Sequence, residues 1–331
     1  MRHFCTSFDS NYLFKGLALY HSLTRQFPDA VLWVLCLDPA TERVLEGLAL
    51  PGLRLLPLAG LEAAEPGLRQ AKVGRSRVEY YFTCTPALIW HLLTRVPGNA
   101  PTTYLDADLY FFASPALLLR ESAVASVTIL PHRFPPAFRH LEEYGIYNVS
   151  WLTFMDDRPG RECLAWWRNR CIEWCFDRLE DGKFADQKYL DDWPKRFESV
   201  HVLANEGAGV APWNVSAQPV SVAAGVVRAG TAPLIFYHFH AFKRVAAWLY
   251  DPGLARYGAA MTPVLRDAVY LPYLAELRGI ESRLRRTVAN LPRGWGSARG
   301  MGLRGLIQQA LRRQLLVAPE RVRRSAHHAP D

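Results

Sequence analysis

The chain has no apolar run near the roughly 18 residues that a membrane-spanning helix requires. Its longest candidate, residues 31–37, is of strand length and is closed by Asp38. The start, Met1-Arg2-His3-Phe4, turns polar again over residues 7–11 and so lacks the apolar core of a secretory signal. These two absences set a cytoplasmic protein as the expectation. Cysteine is scarce: six in 331 residues, with no C-x-x-C pair, which in a cytosolic chain are expected to be buried and reduced. Cys171 and Cys175 stand one helical turn apart, but no second ligand pair accompanies them. Lysine is missing from residues 281–331, where 11 arginines against 3 acids account for the whole net charge of +8. Residues 1–280 are therefore formally neutral and carry no recognisable nucleic-acid module, which argues against nucleic-acid binding as the main task.

What is present is globular: half of the residues are hydrophobic, 12% aromatic and 21% charged. Residues 2–8, 30–37 and 53–58 read as buried strands, with helices at 11–26 and 40–49 between them. That β-α-β-α-β order implies a parallel sheet with right-handed crossovers, whose ligands bind beyond the carboxyl ends of the strands, here around residues 7–12. A long helix is expected at 78–95 with Pro86 as a kink, then strands at 102–106, 108–113, 124–130 and 146–154 and a helix at 158–179. A short helix is expected at 184–192, short strands and turns at 204–233, and a last apolar strand at 234–240. The expected division is an α/β catalytic domain over 1–250, a helical extension over 251–290 and a basic amphipathic tail over 291–331. In that tail Leu303, Leu306, Ile307, Ala310 and Leu311 form one stripe, away from Arg304, Arg312 and Arg313.

Two constellations carry chemistry. Asp106 and Asp108 end an apolar strand in Tyr104-Leu105-Asp106-Ala107-Asp108-Leu109-Tyr110. At i, i+2 on a strand both carboxylates point to one face, roughly 6–7 Å apart, where one divalent ion can bridge them. The bare triplet is weak, because fifteen aspartates in 331 residues yield about one by chance. The second constellation is Phe236-Tyr237-His238-Phe239-His240-Ala241-Phe242-Lys243. His238 and His240 would share a strand face, a neutral imidazole suits a transition-metal ion, and a lysine suits phosphate. The alternative is one core and one surface histidine. Ala211-Pro212-Trp213-Asn214 reads either as a sugar-stacking surface or as a buried Trp after a turn.

With these motifs in this order, residues 2–245 resemble the GT-A glycosyltransferases related to glycosyltransferase family 8, a group that includes lipopolysaccharide galactosyltransferases and glycogenin. The resemblance implies that Thr6, Asp9, Asn11 and Tyr12, in Phe4-Cys5-Thr6-Ser7-Phe8-Asp9-Ser10-Asn11-Tyr12, contact uridine. It gives the family's basic residue as Arg75 or Arg77 and the D-x-D as Asp106 and Asp108. Asn148 would lie near the donor sugar, and Asp186 with Gln187 near the anomeric carbon. His238, or His240 in its place, would be the third metal ligand, and Lys243 the diphosphate lysine. In the last motif the family's glycine is missing, Lys243 comes one residue early and Arg244 replaces a proline. The implied activity is a Mn²⁺- or Mg²⁺-dependent, retaining transfer of a hexose from a UDP-sugar to a glycan or lipid-linked acceptor in surface-polysaccharide synthesis. Other classes weighed are a sugar nucleotidyltransferase, whose Gly- and Arg-rich phosphate loop is missing from residues 7–12, and a nucleic-acid-binding protein acting through the tail. The tail itself either rests on an anionic inner membrane surface or packs on the catalytic domain.

Overall fold

The computed structural model describes residues 2–96, 100–295 and 314–317. Its first third is a parallel wind: β1 (Arg2–Phe8), α1 (Leu13–Gln26), β2 (Ala30–Cys36), α2 (Pro39–Leu48) and β3 (Leu53–Pro57). β2 lies between β1 and β3, parallel to both. One side chain organises the start of this wind. Asp38 caps α2 by accepting from the Thr41 N–H at 2.8 Å, and it accepts from the Ser10 N–H at 2.9 Å, tying down the loop after β1.

Two short helices, α3 (Leu58–Ala64) and α4 (Pro66–Lys72), lead to α5 (Arg77–Leu93). A Ser76–Glu79 capping box starts α5, and the helix runs through Pro86 without ending. Then follow β4 (Thr102–Leu105), β5 (Leu109–Phe111), α6 (Ala116–Glu121), β6 (Val127–Pro131), β7 (Tyr147–Phe154), α7 (Arg158–Glu173), α8 (Trp193–Arg196) and β8 (Val200–Val202). The seven-stranded sheet has the order β3-β2-β1-β4-β7-β6-β8, with β7 antiparallel to both of its neighbours. Both faces are covered, which is why its central strands read as continuous apolar runs. One core lies under α5 and α7, around Leu88, Cys163, Trp167 and Phe154. All six cysteines are free and buried.

The second core, around Phe4, Phe14, Leu17 and Phe239, is closed by the far end of the chain. After a meander of β9 (Val220–Ala223), β10 (Val226–Ala229) and β11 (Ala232–Pro233), β12 (Phe236–His238) pairs with β5. A hairpin of β13 (Lys243–Ala246) and β14 (Leu249–Asp251) follows. Then come α9 (Pro263–Leu265), one π-helical turn (Arg266–Tyr270) and α10 (Leu271–Thr287). The expected boundary at 250/251 runs through this core. Tyr273 stacks on Phe239 with ring centroids 3.7 Å apart, and Glu276 on α10 accepts from Arg25 at 2.9 Å.

The tail helix expected at 303–316 lies mostly outside the described residues. Its described end is not helical: β15 (Leu316–Val317) pairs with β14, and Leu316 is buried. The tail at this point packs on the body of the protein. Among the described residues no helix is long and apolar enough to cross a membrane.

Candidate active site

The acid pair is held by a turn and not by a strand. β4 ends at Leu105 and β5 begins at Leu109, with the Leu109 N–H bonded to the Asp106 carbonyl at 3.2 Å. Backbone bonds from Asp106 N–H to Ser150 O (3.2 Å) and from Phe239 N–H to Asp108 O (2.9 Å) fix this turn between β7 and the end of β12. The antiparallel register sets His238 opposite Leu109, so its ring reaches back over the turn. His238 Nε2 lies 3.1 Å from Asp108 Oδ1 and 3.7 Å from Asp106 Oδ2. One ligand atom each from Asp106, Asp108 and His238 fall within 4.8 Å of one another. His240 stands outside this group. β12 ends at His238, so the strand alternation that would pair the two histidines does not continue, and His240 packs against Trp213 with centroids 5.5 Å apart.

The charges in this corner push one another apart. Burial raises the Asp106 carboxyl to about 6, with the neighbouring Asp108 adding to the effect and His238 partly offsetting it. Burial would raise Asp108 as well, but His238 and Lys15 outweigh it and hold this carboxyl below the usual range. Burial opposes the charged form of His238, yet Asp108 and Asp106 raise it. Burial, with His238 beside it, lowers the His240 imidazole to about 4.

A cavity of about 920 Å³ opens from this corner, beyond the carboxyl ends of β1 and β4. Its near wall is the loop after β1. Asp9 is 4% exposed; its carboxylate accepts from the Asn11 N–H and the Asn11 amide, both at 3.0 Å, and pairs with Arg77 at 3.9 Å. Asn11, Tyr12, Arg77 and Tyr81 share this wall. Thr6 and Arg75 do not reach it. Thr6 is fully buried in β1, and the Arg75 guanidinium is used structurally, donating to Thr83 Oγ1 at 2.6 Å and Ile172 O at 2.7 Å.

The opposite wall holds Asn148, Asp186 and Gln187. The Asn148 amide donates to His132 Nε2 at 2.9 Å and Gln187 Oε1 at 3.3 Å, while its oxygen accepts from the Ser150 N–H at 2.9 Å. Gln187 donates to Tyr144 O at 3.2 Å. Gly145 makes that approach possible: its φ is +141°, and a Cβ there would stand 3.0 Å from the Gln187 side chain. Asp186 follows Ala185, a non-glycine residue with φ of +47°, so strained backbone aims this 5%-exposed carboxyl into the cavity. Burial, and then Asp106, hold it well above the usual carboxylate range.

Lys243 is not on the cavity wall. It lies in β13 opposite Asp251, because the residues between β12 and the hairpin turn the chain away through Ala241 at φ +59°. Two other cations stand nearer. Lys15, 5% exposed, lies 3.5 Å from Asp108 Oδ2, and Arg256 lines the cavity from the short turn Leu254–Tyr257. Neither was visible in the sequence, nor was His132. Trp213 takes the buried alternative: it is 4% exposed, donates to His132 O at 2.9 Å and packs edge-on to His238. Asn214 is likewise spent, on His132 O and Gly209 O, both at 2.9 Å.

This fold has counterparts among solved structures. The galactosyltransferase LgtC, solved with donor and acceptor sugar analogues, superposes with a TM-score of 0.51 at 14% identity, over 80% of this chain and 99% of that one. An active-site mutant of LgtC gives 0.51 at 13% identity over the same shares. The chain therefore has the GT-A glycosyltransferase fold. No family model matches it. Two Bacillus subtilis (strain 168) proteins, both described as uncharacterized, are similar in sequence. YfnD is 30% identical over 279 residues, 83% of this chain and 88% of its own; YfnF is 32% identical over 251 residues, 73% and 82%. The chain belongs to the family of YfnD and YfnF.

Proposed function

We propose that this protein is a metal-dependent glycosyltransferase of the family 8 kind, transferring a hexose from a UDP-sugar to a glycan or lipid-linked acceptor with retention. The observation that carries the reading is the convergence of Asp106, Asp108 and His238 at the floor of a cavity large enough for a nucleotide sugar. Two carboxylate oxygens and one imidazole nitrogen form a donor set that fits Mn²⁺ or Mg²⁺. Such an ion, when bound, would supply the charge that stabilises a departing diphosphate.

The chain's own residues set the rest. Asp9, Asn11, Tyr12 and Arg77 form the wall that would take the uridine, with Asn11 already oriented by Asp9. Asn148 and Gln187 present a rigid amide surface to the sugar. Burial and Asp106 favour the protonated form of Asp186, and a sugar cation developing beside it would favour its charged form. It would then stabilise oxocarbenium-like charge, while a leaving diphosphate oxygen takes the proton of the acceptor hydroxyl on the same face. LgtC, with its donor and acceptor sugar analogues, supplies the analogy for a site that takes both substrates. A nucleotidyltransferase is disfavoured by the glycine-free loop between β1 and α1.

A thermal-shift screen of nucleotide sugars with and without Mn²⁺ tests the reading. Near-saturating donor at about 100 Kd stabilises by about 2.7 kcal/mol, a shift of a few degrees. A UDP-hexose should give the largest shift, and only with metal. Silence from every nucleotide sugar would end the proposal. Sedimentation with anionic liposomes, with and without residues 291–331, tests a membrane-bound acceptor.

A further inference from the structure

We infer that Lys15 is a built-in counter-charge of the metal corner, which pins Asp108 as a one-oxygen ligand and keeps the ion loosely held until a diphosphate arrives. The inference rests on the reading of Asp106, Asp108 and His238 as metal ligands.

Lys15 occupies the first turn of α1, where the helix dipole disfavours a cation and where no acid stands. Lysine is rarely buried without a partner, yet this one is 5% exposed. Both groups it meets belong to the site. Its ammonium is 3.5 Å from Asp108 Oδ2 and 4.3 Å from the centre of the Tyr12 ring. Asp108 is the carboxylate paired with it among the described residues. The neighbouring Gly16 makes the placement possible, since a Cβ there would run into the Phe8 ring and push α1 off β1.

Two consequences follow from charge and geometry. Asp108 has Oδ1 turned to His238 at 3.1 Å and Oδ2 turned to Lys15 at 3.5 Å, so the first faces the other two ligands and the second faces the counter-charge. Two carboxylates with a neutral imidazole would balance a divalent ion completely. With Lys15 the site carries one negative charge less, so a bound divalent ion leaves a positive excess. A diphosphate supplies the missing negative charge. The metal is then held weakly by the empty protein and tightly in company with the nucleotide.

The test is direct Mn²⁺ binding, by calorimetry or by the free-ion electron paramagnetic resonance signal, on the wild type, Lys15→Met and Lys15→Arg without nucleotide. Removing a like charge this close is expected to tighten Mn²⁺ binding about tenfold in Lys15→Met. Lys15→Arg should stay within about threefold of wild type, and added UDP should strengthen Mn²⁺ binding more in wild type than in Lys15→Met. Lys15→Gln serves as the neutral variant if circular dichroism shows Lys15→Met unfolded. Equal or weaker binding by the neutral variant overturns the role of Lys15 and leaves the metal site standing. Equal tightening in Lys15→Arg also overturns it, since size and not charge would then be responsible. Absence of Mn²⁺ binding in every form overturns the metal site and this inference together.

Discussion

The amide wall of the cavity and its acidic corner treat their buried polar atoms in opposite ways. On the side of Asn148 the amides are spent on their neighbours: the Asn148 amide on His132 and Gln187, its oxygen on Ser150, and the Gln187 amide on Tyr144. These are neutral bonds that close on one another, and a satisfied network of that kind holds a shape. On the side of Asp106 the groups are charged, opposed and incompletely satisfied. Two carboxylates and Lys15 crowd His238, whose Nδ1 is buried without a partner among the described residues. A buried polar atom left without a partner is costly, so this corner is built to receive something and the amide wall to shape what is received.

The strongest way to break that contrast is to remove one charge. Asp106→Asn is expected to cut sugar transfer at least about a hundredfold, since even outer partners of a metal cost 10–100-fold when changed. The same substitution should raise the thermal stability of the metal-free protein at pH 8. The sign follows from the Asp106 carboxyl standing at about 6 when folded. An acid raised above its unfolded value costs the native state stability as pH rises from the ordinary carboxylate range through 6, and asparagine removes that cost. Full activity of Asp106→Asn or Asp108→Ala in the presence of EDTA would break the reading.

The neutral wall should respond in the reverse sense. Asn148→Ala leaves His132 Nε2 and the Ser150 N–H without their side-chain partner, and is expected to cost about 1–3 kcal/mol in urea unfolding. Its Mn²⁺ affinity should stay within about twofold of wild type, because no ligand moves. A large loss of Mn²⁺ binding in Asn148→Ala would merge the wall and the corner into one unit.

How much of this was legible depends on how far apart the cooperating residues are in the chain. The parallel wind was readable because each strand buried on both faces writes a continuous apolar run. The turn at Asp106–Asp108 was read as strand because its closing partners, Ser150 and Phe239, are far away in sequence. Nothing in the helical pattern of residues 11–26 singles out Lys15. In fact α1 is covered on a second side by α10, through contacts such as His21 to Glu276, 255 positions apart. Local periodicity carries no sign of such a second cover. His132 was missed for the same reason: its partners come from β7 and from residues 213–214.

A smaller and graded effect comes from pH. Burial with Asp108 raises Asp106 to about 6, and Asp108 with Asp106 raises His238. A metal needs both deprotonated, so protons compete with it below these values. Mn²⁺ affinity should fall about tenfold for each pH unit where His238 alone is protonated, and about a hundredfold for each unit below about 6, where Asp106 is protonated as well. In Asn148→Ala the profile should keep its midpoint. A flat profile from pH 5 to 8 would show that neither group carries a competing proton.

The mildest effects separate the cation expected in the sequence from the one found on the wall. Lys243 lies in β13 opposite Asp251, off the cavity, so Lys243→Ala should leave the KM for the donor within about twofold, as for ordinary surface changes. Arg256 lines the cavity, and its turn is fixed on both sides by glycines at φ +79° and +56°. Gly253 comes so close to the His240 carbonyl that a Cβ there would stand 2.6 Å from it, which sets the turn against the metal corner. Arg256 is exposed, so its pull on a diphosphate is screened. Arg256→Ala should therefore raise the KM for the donor only about three- to tenfold, with kcat little changed, as loss of uniform binding requires. The effect should shrink as salt rises. If Lys243→Ala proves the more damaging of the two, the hairpin must swing toward the cavity when the donor binds.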